Sequence, residues 1–135
     1  MATFKWTPQL SVGVPQIDTQ HQTLFQKAND LMDACNRAEG YAEIAKLFAY
    51  LESYVVEHFR DEEKYMAKIQ YPGLAAQKTA HTAFISQMAK VRKEYEASPT
   101  KNIAILSNAL QMISDWLIRH VSGEDRKIGQ FAAGR

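Results

Sequence analysis

A single cysteine, Cys35, among 135 residues leaves no intramolecular disulfide and no multi-cysteine zinc site to consider. No sign of charge dominates either. Lys+Arg 16 against Asp+Glu 15 leaves a net charge of +1, which gives no electrostatic case for nucleic acid or an acidic membrane surface. The charged runs "RDEEK" and "KVRKEYE" mix both signs, as a solvated helix face does. No run of about 18 uncharged apolar residues occurs, so no membrane span is expected. The start, "MATFKWTPQLSVG", lacks the apolar core of a signal peptide, and a reducing, cytoplasmic setting is the expectation. No strand-like alternation, internal repeat, Ser-His-Asp set or Gly-rich phosphate loop is visible, so no catalytic residue is assigned.

What is present is a helical pattern. Gly and Pro are sparse, with 6 and 4 residues, and the later breaks leave segments of about 20–30 residues, suited to helices joined by short loops. Each segment carries an apolar stripe in steps of three and four. The first is Ile17, His21, Leu24, Ala28, Leu31, Cys35. The second is Ile44, Leu47 with Phe48, Leu51, Val55, His58, Glu62, Tyr65 with Met66. The third is Leu74, Gln77, His81, Phe84, Met88, Val91, and the fourth is Ile103, Leu106, Leu110, Ile113, Leu117, His120. The pattern predicts an all-α protein, an antiparallel up-down-up-down four-helix bundle with an extended N-terminal arm. The whole chain, 1–135, reads as one domain, with the arm over 1–16 and the bundle and C-terminal tail over 17–135. Asp18 is a candidate cap for the first helix, Pro72 a candidate opener of the third, and Thr100 a candidate cap for the fourth.

All four histidines of the chain, His21, His58, His81 and His120, fall on these stripes, one per helix. Glu62 and Gln77 share them. One histidine on an apolar stripe is usually a core residue with a local hydrogen bond. Four of four, with a carboxylate, is a different pattern. Burying them unpaired would cost several kcal/mol each, and a metal centre removes that cost. In an up-down-up-down bundle the four histidines also come to one level. His21 and His81 lie near the starts of their helices, His58 and His120 near the ends.

His58 and Glu62 form an i,i+4 pair. After His120 comes "VSGED". A regular helix favours Glu124, at i+4, as the inward carboxylate. A bend at Gly123 favours Asp125, at i+5, and spacing alone leaves both open. Two divalent ions, balanced by two carboxylates and a bridging hydroxide, suit this ligand set. Mixed nitrogen and oxygen donors favour iron or manganese over a structural zinc.

Nearly the whole chain resembles the bacteriohemerythrins of the hemerythrin family. The matching stretches are "FKWTPQLSVGVPQIDTQHQTLF", "HFRDEEKYM", "YPG", "AFISQ" and "WLIRHVSGED". The resemblance implies a non-haem di-iron centre that binds dioxygen reversibly, for storage, transport or delivery to an oxygen-consuming enzyme. It implies that Glu62 and Asp125 bridge the irons together with an oxo or hydroxo group, so that Asp125 rather than Glu124 is the ligand. His21 and His58 would serve the iron that takes oxygen, and His81 and His120 the other. Leu117, Ile113, Phe59 and Trp116 would line the oxygen pocket, and Trp6 would be an outer or lid residue. The sequence departs from the family at Gln77, where a second ligand histidine of the third helix is expected. Three readings of Gln77 stand: weak ligation through its amide oxygen, a hydrogen bond to water or hydroxide in the vacated position, or a side chain pointing away. Alternative functions are a di-iron oxidoreductase (peroxidase, or reduction of O2 or NO), an oxygen or redox sensor, and a metal-free helical protein.

Overall fold

The computed structural model describes residues 5–37, 40–98 and 103–134. An arm with one 3-10 turn, Pro8–Leu10, leads into helices α1 (Pro15–Asn36), α2 (Tyr41–Lys68), α3 (Leu74–Ala97) and α4 (Ile103–His120). One π-helical turn, Val121–Asp125, joins α4 to a short α5, Arg126–Ala133. Each long helix packs against the next, and α4 closes the ring against α1. This is the expected up-down-up-down bundle, and the described residues contain no strand.

The stripes become the core. Leu24, Leu31, Ile44, Leu51, Val55 and Leu110 are all fully buried, each contributing roughly 1.5–3 kcal/mol on leaving water. Leu47 is only partly buried, and Phe25, Met32, Val121 and Ile128 join the interior from outside the stripes. Cys35 is buried and free.

The helix starts differ in detail from expectation. α1 begins at Pro15, whose fixed φ and missing N–H suit a first position, so the arm ends two residues early. Asp18 is therefore not the cap. It lies in the first turn and reaches back, its carboxylate accepting from Ser11 Oγ at 2.6 Å and from the Val12 amide at 2.8 Å. This pins the arm, which turns through Gly13 at φ 79°. Pro72 sits in the preceding turn and α3 opens at Leu74. Thr100 lies outside the described residues. The arm crosses α5 so closely at Gly129 that a Cβ there would collide with the Val12 carbonyl oxygen. Only glycine permits this crossing.

Candidate metal centre

The end of the bundle that receives the starts of α1 and α3 and the ends of α2 and α4 holds a buried polar cluster. His21 and Glu62 are 0% exposed, His58, His81 and Asp125 1%, Gln77 3% and His120 7%. All six residues expected as ligands are in it. Gln77 is in it too, so the reading in which its side chain points away is overturned.

The π-helical turn brings in the carboxylate. It accommodates the extra residue between His120 and Asp125, so the i+5 side chain turns to the face an i+4 residue would occupy in a regular α-helix. Asp125 is thereby buried. Glu124 points to solvent, 55% exposed, with Lys127 3.3 Å away.

The close contacts form two overlapping groups. His21, His58, Glu62 and Asp125 each offer a donor atom, and these atoms lie within 4.8 Å of one another. Glu62, His81, His120 and Asp125 do the same. Glu62 and Asp125 belong to both. His21 Nε2 is 3.1 Å from Asp125 Oδ2 and 3.6 Å from Glu62 Oε2, and His58 Nε2 is 3.5 Å from Glu62 Oε2. On the other side, His81 Nε2 is 3.1 Å from Glu62 Oε1 and His120 Nε2 is 3.2 Å from Asp125 Oδ1. Close as they are, both Glu62 oxygens, Asp125 Oδ2 and Nε2 of His21, His81 and His120 are buried without a hydrogen bond. Buried polar atoms are normally paired. Convergent lone pairs left unpaired are what a bound cation satisfies, and the donor set fits iron.

Outer partners orient the rings. His58 Nδ1 lies 2.7 Å from Gln20 Oε1, and Gln20 in turn donates to Asp61 at 2.9 Å. His81 Nδ1 lies 2.8 Å from Glu63 Oε2. An Nδ1–H held by an oxygen leaves Nε2 as the free lone pair. Sequence reasoning missed Gln20, Asp61 and Glu63. Their signal was adjacency, since Gln20 precedes His21 and Glu63 follows Glu62. Phe59 stacks on His81 with centroids 3.8 Å apart, and Trp116 on His120 at 4.4 Å. Both aromatics therefore wall the His81/His120 group. Leu117 and Ile113 are buried nearby in α4. Trp6 packs against the core with its Nε1 buried and unpaired.

Without metal the cluster is electrostatically tense. Burial alone lowers the His21 pKa, but Asp125 and Glu62 beside it outweigh burial and raise it from 6.5 to about 9. For His58 burial wins over the pull of Glu62, and its pKa falls to about 4. Burial likewise opposes the charged form of His81, yet Glu62 and Glu63 push its pKa up. Burial should raise the Asp125 carboxyl, but His120 and His21 hold it well below the usual carboxylate range.

Residues 12–132 match the model of the Hemerythrin HHE cation binding domain. The bacteriohemerythrin of Methylococcus capsulatus (strain Bath) is 31% identical over 130 residues, 96% of each chain. The myohemerythrin of Theromyzon tessulatum is 25% identical over 124 residues, 92% of this chain and 89% of that one. Among solved structures, wild-type hemerythrin superposes with a TM-score of 0.84 at 31% identity, covering 96% of this chain and 97% of the other. A leucine-to-alanine variant of hemerythrin gives 0.85 at 31%, covering 97% and 98%.

Proposed function

Because this chain belongs to the hemerythrin family, we propose that its bundle holds two non-haem iron ions and binds dioxygen reversibly, for storage, transport or delivery to an oxygen-consuming enzyme. The observation that carries this reading is the pair of buried donor groups sharing Glu62 and Asp125, with most of their facing atoms lacking a hydrogen bond. His21 and His58 would hold one ion, His81 and His120 the other, and the two carboxylates would bridge them with an oxo or hydroxo group. Two ferrous ions, when bound, supply the electrons that dioxygen takes up and returns.

The chain's own residues supply the rest. Glu62 and Asp125 bring negative charge to a site where two cations would otherwise repel. Gln20 and Glu63 hold His58 and His81 with Nε2 inward. Phe59 and Trp116 hold the planes of His81 and His120 by stacking. Leu117 and Ile113 are apolar, buried and close to His120 in the chain. They would exclude water, which slows proton entry and favours release of oxygen over irreversible oxidation. No nucleophile or acid–base pair beyond the ligands is needed. Residues 1–135 would act as one unit. The setting would be reducing and cytoplasmic, in keeping with a lone buried cysteine, and among the described residues no helix is long and apolar enough to cross a membrane.

The test is anaerobic loading with ferrous iron, followed by air and then removal of oxygen. About two irons per chain and a visible band that appears and disappears reversibly are expected. One iron per chain, or a band that never returns, would overturn the reading. A second reading, an oxidoreductase at the same ions, is favoured by Gln77 standing where a further strong ligand is expected. Sustained turnover of peroxide by the loaded chain would select it.

A further inference from the structure

Gln77 lies in the buried cluster but is not among the proposed ligands. It sits in the first turn of α3, four residues before His81 and on the same face. Its Nε2 donates to Asp125 Oδ1 at 3.1 Å. The reversed amide would set two oxygens against each other, so electrostatics fixes this orientation. Asp125 Oδ1 is the oxygen 3.2 Å from His120, whereas Oδ2 is the one 3.1 Å from His21. Gln77 thus stands on the His81/His120 side. Its Oε1 is buried without any hydrogen-bond partner, which carries a desolvation cost unless something donates to it.

The donors on that side are two imidazole nitrogens and two shared carboxylate oxygens. With a solvent bridge they make five, one short of the octahedral shell that a mid-row divalent ion commonly takes. One of the two amide N–H bonds goes to Asp125 and Oε1 has no partner, so the unmet need that Gln77 brings to the sixth position is that of an acceptor. A neutral amide oxygen is itself a poor replacement for imidazole, and an aprotic anion has no proton to offer it. Water and hydroxide do. We infer that the His81/His120 group carries a second small-ligand position, distinct from any at the His21/His58 group, filled by an exchangeable water or hydroxide whose O–H is accepted by Gln77 Oε1. The inference rests on the two-metal reading proposed above.

Solvent proton relaxation of the full chain loaded with Mn2+ reads exchangeable water bound to the metal. At equal manganese content, Gln77→His is expected to lose the enhancement of one exchangeable water, because the imidazole takes the position. Gln77→Leu is expected to keep that water, leaving the number of exchangeable waters unchanged. If Gln77→His leaves the relaxation unchanged, or if Gln77→Leu raises it because Oε1 was itself the ligand, the inference is overturned. Manganese stoichiometry on the same samples separates the two levels. Fewer than two ions in the native chain overturns the two-metal reading and this inference together. Two ions with relaxation that does not respond to Gln77→His overturns the inference alone.

Discussion

Replacing Glu63 by alanine should weaken one metal position and spare the other. Glu63 Oε2 accepts from His81 Nδ1 at 2.8 Å, and no equivalent carboxylate contacts Nδ1 of His58, which has the neutral Gln20 amide instead. Removing the outer partner of a ligating histidine typically costs about 10–100-fold in metal affinity, or about 1.4–2.7 kcal/mol. Glu63 is 26% exposed, so water screens it, and the lower end, about tenfold, is expected. Proton competition modulates the result. In the metal-free chain Glu63, after Glu62, helps to raise the His81 pKa, so its removal eases proton competition at His81 and offsets part of the loss. That offset should shrink as pH rises and proton competition fades. Competition of cobalt between the protein and a chromophoric chelator, resolved into two binding steps, is the assay. Glu63→Gln, which keeps an acceptor, should fall between native and alanine. Gln20→Ala should instead weaken the step assigned to His21 and His58. If Glu63→Ala leaves both steps unchanged, or weakens them equally, the assignment of the outer partners is wrong.

Four further outcomes are expected. Gly129→Ala should destabilise by about 1–3 kcal/mol, since the new methyl meets the rigid Val12 carbonyl; a melting temperature within experimental error of native would refute the close crossing. Asp125→Asn should lose metal while Glu124→Gln keeps it, because only the former is buried among the imidazoles; equal losses by elemental analysis would contradict the role of the π-helical turn. His21, raised to about 9 in the metal-free chain, stabilises that form fully below pH 6.5 and progressively less as pH rises through about 9, so loading at pH 7.5 should release a proton and metal affinity should climb with pH up to about 9; affinity flat across that window in calorimetric titrations would count against it. Leu117→Ala, at a position 3% exposed, should cost roughly 2–5 kcal/mol in stability and hasten the fading of the visible band in air; stability loss without faster fading would make Leu117 plain core.

The sequence alone determined the bundle, the level of the site and most of its donors. Helical periodicity is a local property, so four stripes could be read from Ile17 to His120 without knowing what they pack against. The alternation of helix direction then placed His21, His58, His81 and His120 at one end by arithmetic. Glu62 followed from sharing a face with His58. Helix boundaries were less legible, because the residues that end a helix answer to neighbours. Asp18 ties the arm rather than capping α1, since Ser11 and the Val12 amide fold back over it.

Tertiary structure decided the rest. Periodicity assumes a regular helix, so spacing left Glu124 and Asp125 both open, and only the family resemblance named Asp125. The π-helical turn at Val121–Asp125 breaks that regularity and turns Asp125 inward. Gln20 and Glu63 were legible only as chain neighbours of ligands, because a hydrogen bond to Nδ1 depends on which way a ring turns between helices. The resemblance gave Phe59 and Trp116 as lining of the oxygen pocket, and their stacking on His81 and His120 is fixed by the α2–α3–α4 packing. Gln77 is the sharpest case. Its chemistry was visible in the sequence as an amide where an imidazole was expected. Its direction was not, because whether a side chain meets a carboxylate or water depends on a residue 48 positions away, brought beside it only when α3 packs against α4.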